Sequence, residues 1–178
     1  TSEVYGTAQF VPISESHPLN AQSPYAASKI AADQFALSFW RSYGTPVSII
    51  RPFNTFGPRQ SARAIIPTII SQIAAGERRI KLGATHTTRD FTYVEDTVDA
   101  FIKLAQADDA VGSVTNVGCN FEVSVLELLQ QIGEVMHVEV EAATETARMS
   151  PSASEVERLW CDNTRIKAIT TWLPRYSG

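Results

Sequence analysis

Short strand-like runs alternate with longer helix-like segments along this sequence, and this alternation constrains its fold more than any other feature. Hydrophobic spacing and turn residues predict four helices, at residues 25–43, 65–75, 95–106 and 124–136. Short β-branched or alternating runs predict five strands, at residues 47–50, 80–82, 90–94, 113–117 and 138–140. Because helices connect neighbouring parallel strands, this order predicts an α/β fold with a parallel or mixed sheet.

Local signals define the ends of two of these helices. Ser23 can cap the first turn of the 25–43 helix, and Pro24 suits its first position. Gly44 follows its last residue, where a left-handed conformation commonly ends a helix. Ser124 and Glu127 have the spacing of a capping box, which predicts the start of another helix.

Composition excludes several classes of protein. A chain of 178 residues with 44% hydrophobic and 19% charged residues is typical of a folded globular protein. A net charge of −4 argues against a nucleic-acid partner, and no apolar run is long enough to span a membrane. Cys119 and Cys161 lack disulfide-scaffold or zinc spacing, and the three histidines are scattered. We therefore expect no metal site and a reducing, cytoplasmic location.

A tyrosine and a lysine stand four residues apart, Tyr25 and Lys29, at the start of the longest helix. A lysine near a phenol stabilises the phenolate, which can then accept a proton from an alcohol at neutral pH. An ordinary solvated helix face would contain the same pair. Thr1-Ser2-Glu3 and Arg51-Pro-Phe-Asn54 add polar groups that we expect at the same edge of the sheet, where ligands bind in α/β folds.

In this combination the sequence resembles the extended short-chain dehydrogenase/reductase family, the NAD-dependent nucleotide-sugar epimerases and dehydratases. The resemblance covers nearly the whole chain through Thr1-Ser-Glu-Val-Tyr-Gly6, Ser23-Pro-Tyr-Ala-Ala-Ser-Lys29, Arg51-Pro-Phe-Asn54, Gly57-Pro-Arg59, Arg89-Asp-Phe-Thr-Tyr-Val-Glu-Asp96 and Asn116-Val-Gly118. Residues 51–63, 66–70 and 154–159 look most like 4,6-dehydratases of the UDP-N-acetylglucosamine type found in legionaminic-acid pathways.

The resemblance implies the C-terminal part of a Rossmann-like NAD(P)-binding doubly wound fold plus a small α/β substrate-binding domain. Residues 1–60 would form the second half of the NAD-binding domain, and residues 89–117 would return to its sheet. Residues 61–88 would be a segment of the substrate domain, and residues 118–178 its C-terminal part.

The resemblance also implies a catalytic role for each of five residues. Tyr25 would take the proton from the sugar O4 while NAD takes the C4 hydride, and Lys29 would bind the nicotinamide ribose and tune Tyr25. Thr1 would hydrogen-bond the substrate hydroxyl. Glu3 would act on C5, so that water leaves from C6 and the hydride returns there, giving a 4-keto-6-deoxy sugar. Ser2 stands where some dehydratases carry aspartate, and one hypothesis is that Glu3 serves as both base and acid.

Binding roles follow from the same resemblance. Pro52 and Phe53 would join Tyr25 and Lys29 in holding NAD. The residues expected to hold the UDP-sugar substrate are Asn54, Arg59, Ala64, Ile65, Arg89, Asn120, Arg148 and Arg158. Relatives often have arginine directly before the proline at position 151, where this chain has Ser150. Two alternatives follow: Arg148 or Arg158 replaces that diphosphate contact, or the substrate is held differently.

No GxG glycine pattern, the usual fingerprint of a dinucleotide-binding loop, occurs in this sequence. We therefore expect the chain to be the C-terminal portion of a longer enzyme and to be inactive by itself. The longer enzyme is expected to form a homodimer through the 25–43 helix. Three functions compete at this point: a nucleotide-sugar 4,6-dehydratase acting on a UDP-N-acetylhexosamine, a 4-epimerase or UDP-glucuronate decarboxylase of the same family, and a non-catalytic remnant.

Overall fold

The computed structural model describes residues 1–145 and 155–176, so the predicted substrate residue Arg148 lies outside the described residues. Within these ranges the helices are α1 Pro24–Tyr43, α2 Ile65–Ala74, α3 Val94–Ala105, α4 Val125–Val135 and α5 Thr164–Ile169. The strands are β1 Ile49–Pro52, β2 Asn54–Phe56, β3 Arg79–Leu82, β4 Thr88–Arg89, β5 Phe91–Tyr93, β6 Val114–Val117, β7 Val123–Ser124, β8 Glu141–Thr144 and β9 Arg158–Leu159. Short 3₁₀ helices form at Ser2–Tyr5 and Asp108–Ala110.

Parallel pairing dominates the strands. β1 pairs with β6, β2 with β5, and β3 with β8, all in parallel. β4 pairs in parallel with β9 and antiparallel with β7. Because the crossovers between parallel strands contain helices, the α/β fold expected from the sequence is confirmed. The division of the chain into four domain segments stays a prediction.

The helix caps form as the sequence predicts. The Ser23 hydroxyl accepts a hydrogen bond from the Ala26 amide at 3.1 Å, which satisfies one of the free amides of the first turn of α1. Gly44 ends α1 with φ 68°, in the left-handed region. At α4, Ser124 and Glu127 form a reciprocal capping box.

Three strand predictions were wrong, the first of them at 47–50, where the strand runs instead from Ile49 to Pro52 as β1. The predicted 138–140 strand is absent from the described structure because the Val138 amide donates to the Gly133 carbonyl at 2.9 Å and closes the end of α4, so pairing starts only at β8. The predicted 90–94 strand is shorter, Phe91–Tyr93, because Asp90 separates it from β4, which pairs with other strands, and α3 starts at Val94. The start of the chain forms a 3₁₀ helix at Ser2–Tyr5.

Buried apolar side chains form three clusters. One lies between α2, β3 and α4, and a second joins α3, β6 and α5 around the fully buried Trp172. The third surrounds the 3₁₀ helix Ser2–Tyr5 and includes Phe53, with Ile30 of α1 packed against it. This third cluster fixes the start of the chain against α1 and the end of β1. No helix in the described ranges is both long and apolar enough to cross a membrane.

Candidate functional site

A cleft of about 430 Å³ opens where β2, α2 and β4 meet the start of the chain. It collects Glu3, Asn54, Ala64, Ile65 and Arg89, five of the residues expected at the site. The other lining residues are Thr55, Gln60, Arg63, Gly83, Ala84, Thr87, Phe91, Val125 and Glu155. Sequence segments that are far apart therefore meet in one cavity.

Strand pairing brings Asn54 and Arg89 into this cleft. Asn54 is the register partner of Phe91, and the backbone amide of Asn54 donates to the backbone carbonyl of Asp90 at 3.0 Å. These bonds place the first residue of β2 beside the last residue of β4. The Asn54 Oδ1 atom is buried and accepts no hydrogen bond from the described residues. Because a buried acceptor without a partner is unfavourable, this atom is a candidate contact for a ligand donor.

Arg89 is a partly buried cation of the cleft, with 15% of its side chain exposed. Its Nη1 donates to the Thr88 carbonyl at 2.8 Å, and its Nη2 lies 3.8 Å from Oε1 of Glu155. Burial lowers the pKa of Arg89, because the loss of water outweighs the attraction of Glu3 and Glu155. Because the ion pair with Glu155 is long, at 3.8 Å, a phosphate oxygen in the cleft could form a closer charge-assisted hydrogen bond with this guanidinium.

The amino terminus of α2 lies on the same cleft. Ala64 is the N-cap residue, and no side chain caps this end of the helix. The hydroxyl of Thr68 donates to the Ala62 carbonyl at 3.1 Å and holds the preceding turn in place. The first amides of a helix lack intrahelical partners and carry the positive end of its dipole. The backbone at Ala64 and Ile65 therefore suits a phosphate group.

Glu3 lies in the 3₁₀ helix Ser2–Tyr5, which is far from α2 in the sequence but contributes to the same cleft. Its backbone amide donates to Oγ1 of Thr1 at 3.4 Å. Ser2 is buried, with 3% exposure, whereas Glu3 is half-buried and lines the cleft. Gly6 ends the turn with φ 61°, and a Cβ there would lie 2.5 Å from the Asn20 carbonyl oxygen. Only glycine fits this reversal without a shift of the chain.

Tyr25 and Lys29 lie on the first two turns of α1, outside the residues that line the cleft. The Lys29 Nζ is 5.5 Å from the centre of the Tyr25 ring, and the tyrosine is 54% exposed. Ile30, the next residue along α1, packs against the apolar cluster that contains Val4 and Tyr5. This packing places the Tyr25 and Lys29 turns next to the segment that carries Glu3. Pro52 and Phe53 lie at the end of β1.

Three predicted substrate residues lie outside the cleft. Arg59 is exposed and lines a separate surface groove of about 470 Å³ beside α3. Asn120 accepts a hydrogen bond from the Trp160 indole at 2.8 Å. Arg158 makes two hydrogen bonds with the Glu122 carboxylate, at 2.8 and 2.7 Å, and this pairing lowers the pKa of Glu122. The role of Arg158 at the substrate site stays a prediction, since its side chain is 47% exposed.

Comparison with known proteins identifies the family. A family model described as GDP-mannose 4,6 dehydratase matches residues 1–178. This chain belongs to that family. The expected relationship to nucleotide-sugar epimerases and dehydratases is therefore confirmed.

Individual members of the family show how far the likeness extends. The chain is 38% identical over 132 residues to the dTDP-D-glucose 4,6-dehydratase of Bos taurus, an alignment that covers 74% of this chain and 37% of that protein. It is 35% identical over 175 residues to the UDP-glucose 4-epimerase of Mycolicibacterium smegmatis, covering 97% of this chain and 54% of that protein.

A solved structure agrees with the fold. The dTDP-glucose 4,6-dehydratase of Bacillus anthracis, determined in complex with NAD, superposes with a TM-score of 0.86 at 28% identity and covers 99% of this chain and 55% of that one. The chain thus spans about a third to a little over half of the length of the relatives that it matches.

Sequence reasoning missed several residues that this family member places in the cleft. Gln60 and Arg63 lie in the turn before α2. An arginine directly before the start of a helix suits an anion-binding site, so the sequence could have indicated Arg63. Thr87 precedes β4. Glu155 comes from a distant segment, and although residues 154–159 belong to the resemblance, no role at the site was predicted for it. Within the described residues no cluster of His, Cys, Asp and Glu could hold a metal ion.

Proposed function

We propose that this chain forms the substrate side of an NAD-dependent nucleotide-sugar 4,6-dehydratase that acts on a UDP-N-acetylhexosamine. The observation that supports this most is the cleft that brings Glu3 together with the partly buried guanidinium of Arg89. A 4,6-dehydratase needs both an anion-binding end for the diphosphate and an acid–base group at the sugar C5. The relatives from Bos taurus and Bacillus anthracis are named as 4,6-dehydratases.

At the nucleotide end, Arg89 would pair with a phosphate oxygen, and the Ala64 and Ile65 backbone would contact a second one. Asn54 would accept a hydrogen bond from the substrate through its unpartnered Oδ1. A charge-assisted hydrogen bond to such a guanidinium contributes about 1.5–3 kcal/mol, which corresponds to about 10- to 100-fold in affinity.

At the sugar end, Tyr25 would hold and remove the O4 proton, while Lys29 would stabilise the phenolate and bind the nicotinamide ribose. Thr1 would hold the O4 hydroxyl in place. NAD, when bound, accepts the hydride from C4 and returns it at C6. Glu3 would take the C5 proton, which a C4 ketone makes acidic, and would then protonate the leaving hydroxyl.

The residues present fit one part of NAD. The exposed Tyr25 and Lys29, with Pro52 at the end of β1, offer a surface for the nicotinamide ribose. The sequence offers no GxG turn for the diphosphate of NAD. We therefore infer that full activity requires the longer enzyme of which this chain is the C-terminal portion. In that enzyme we expect the α1 surface to form a homodimer, in the cytoplasm.

A second candidate is 4-epimerisation or decarboxylation of a UDP-sugar, which needs the same Tyr25 and Lys29. The Mycolicibacterium smegmatis relative, named as a UDP-glucose 4-epimerase, favours it. The position of Glu3 on the cleft favours the dehydratase, because an epimerase needs no acid–base group directed at C5. A non-catalytic remnant that binds nucleotide weakly is the third candidate.

Titration calorimetry of this chain with UDP and with uridine tests the cleft. UDP is expected to bind more tightly than uridine, and Arg89→Gln is expected to weaken UDP binding about 10- to 100-fold without changing uridine binding. Arg79→Gln, the same change at an exposed position on β3, is the matched control. Equal binding of UDP by wild type and Arg89→Gln would refute the assignment of the cleft.

The reaction itself is tested with the full-length enzyme, NAD and UDP-N-acetylglucosamine. Mass spectrometry is expected to show a product that has lost one water. Glu3→Gln is expected to allow oxidation at C4 but to block the loss of water. A C4 epimer with unchanged mass would favour the epimerase, and release of carbon dioxide from UDP-glucuronate would favour the decarboxylase. No turnover of any of these substrates would favour the remnant.

A further inference from the structure

A buried network of hydrogen bonds surrounds Arg51 on β1. Its Nε donates to Oδ2 of Asp33 at 2.9 Å, and its Nη1 donates to the Tyr5 hydroxyl at 2.9 Å. The Tyr5 hydroxyl in turn donates to Oδ1 of Asn116 at 2.7 Å. Asn116 is the register partner of Arg51 on the neighbouring strand β6. Arg51, Tyr5 and Asn116 are 3%, 0% and 0% exposed.

Each side chain of this network has at least one hydrogen-bond partner within it. Burial opposes the charge of Arg51, but Tyr5 and Asp33 outweigh it and raise the pKa of the guanidinium. Burial raises the pKa of Tyr5, so its phenol keeps its proton and can donate to Asn116. A buried network in which every group has a partner allows one geometry, because each alternative leaves a buried polar group unpaired.

The network connects two elements that carry different parts of the reaction. Tyr5 is the last residue of the 3₁₀ helix Ser2–Tyr5, so its hydroxyl anchors the turn that holds Glu3. Asp33 lies on α1, one helical turn after Lys29 and two turns after Tyr25. Arg51, between them on β1, is hydrogen-bonded to both elements.

We propose that Arg51, Tyr5 and Asp33 are positioning residues that set the distance between the group acting on C5 and the group acting on O4. This inference rests on the proposed function, in which Glu3 and Tyr25 act on neighbouring carbons of one sugar. Oxidation at C4 needs Tyr25 close to O4, and water loss needs Glu3 close to C5. A displacement of either group by about 1 Å lowers the rate of its step by up to about 100-fold. Arg89 and Asn54, at the nucleotide end of the cleft, make no hydrogen bond to the network.

The variant Tyr5→Phe tests this role because it removes one hydroxyl and preserves the ring. The full-length holoenzyme is studied in single turnovers with NAD and UDP-N-acetylglucosamine. Absorbance of the reduced nicotinamide reports oxidation at C4, and quenched-flow mass spectrometry reports loss of water. The ratio of the two rates does not depend on the fraction of folded enzyme, so a merely structural role would not change it.

We expect Tyr5→Phe to slow water loss about tenfold relative to C4 oxidation, with KM for the UDP-sugar changed less than about twofold. Tyr93→Phe removes a tyrosine hydroxyl outside the network and is expected to leave the ratio at its wild-type value. A Tyr5→Phe ratio equal to that of wild type would overturn the proposal.

If Tyr5→Phe does not fold, Asp33→Asn decides the question in the same assay. Asparagine keeps an oxygen that can accept from Arg51 but removes the charge, and position 33 is partly exposed, with 17% of the side chain accessible. A changed ratio supports the positioning role, and an unchanged one overturns it. Failure of wild-type enzyme to release water would instead contradict the proposed function, so the two failures are distinguishable.

Discussion

The carboxylate of Asp90 connects the candidate site to the loop after β6, and its titration offers a quantitative test of the structure. Asp90 is fully buried and accepts hydrogen bonds from the amides of Cys119 at 2.8 Å, Asn120 at 2.9 Å and Cys161 at 3.2 Å. Burial raises the pKa of this carboxyl to about 6, although these amide hydrogen bonds oppose the rise. The unfavourable free energy of removing the carboxylate from water therefore exceeds the stabilisation that the amide hydrogen bonds provide.

The sign and size of the effect on stability follow from this pKa. In the unfolded chain the carboxyl titrates near 3.8, so between pH 4 and pH 6 the folded protein binds the extra proton. Stability from this group is fully present below pH 4 and is lost as pH rises through 6. A pKa of about 6 against 3.8 corresponds to a change on the order of 3 kcal/mol.

Urea denaturation at a series of pH values measures this change in the wild type and in Asp90→Asn. Asparagine does not titrate, so the difference in unfolding free energy between the two proteins isolates Asp90. We expect the advantage of the wild type to shrink by on the order of 3 kcal/mol between pH 4 and pH 7. Parallel pH profiles, or an advantage that grows with pH, would show that burial does not control this carboxyl.

Three further predictions address packing, capping and assembly. Gly118→Ala should destabilise the fold by at least about 1–3 kcal/mol in urea denaturation, because a Cβ there would lie 2.4 Å from Cβ of Cys161. Ser124→Ala should cost about 1 kcal/mol through the lost α4 cap, and an unchanged urea midpoint would contradict it. If α1 forms the proposed homodimer interface, changing both Phe35 and Phe39, which are 68% and 41% exposed, to glutamate should leave the full-length enzyme monomeric in sedimentation.

Controls separate these effects from general damage. Ser38→Ala removes a hydroxyl from the middle of α1, where it caps nothing, and its urea midpoint is the comparison for Ser124→Ala. For the α1 double variant, an unfolding midpoint equal to that of wild type shows that the monomer is intact. A protein that remains dimeric with both charges in place would contradict the proposed α1 interface.

Local chemistry explains why the sequence predicted the four longer helices well, although it missed the short α5. Ser23 and Gly44 lie within one turn of the groups that they cap, and the box of Ser124 and Glu127 spans four residues. Such signals depend only on neighbouring backbone, so no knowledge of the fold is needed to interpret them. The 138–140 strand was wrong because alternation alone cannot show that Val138 is used to close α4.

The candidate site was predictable in part. The motifs pointed to Glu3, Asn54 and Arg89, and the structure brings these three to one cleft. Arg158 lay in an equally suggestive stretch, yet it pairs with Glu122 from another part of the chain. Whether an arginine is available for a ligand depends on which carboxylate the fold places beside it, and a linear pattern contains no such information.

By itself, the sequence determined the alternation of strands and helices, the ends of the main helices and the residue types available for chemistry, because these depend on interactions over a few positions. Only the tertiary structure decided that Glu155 and Arg63 line the cleft and that Arg51 connects Tyr5 to Asp33. Those contacts join residues that are far apart in the chain, and their energy depends on burial, which exists only once the strands have paired.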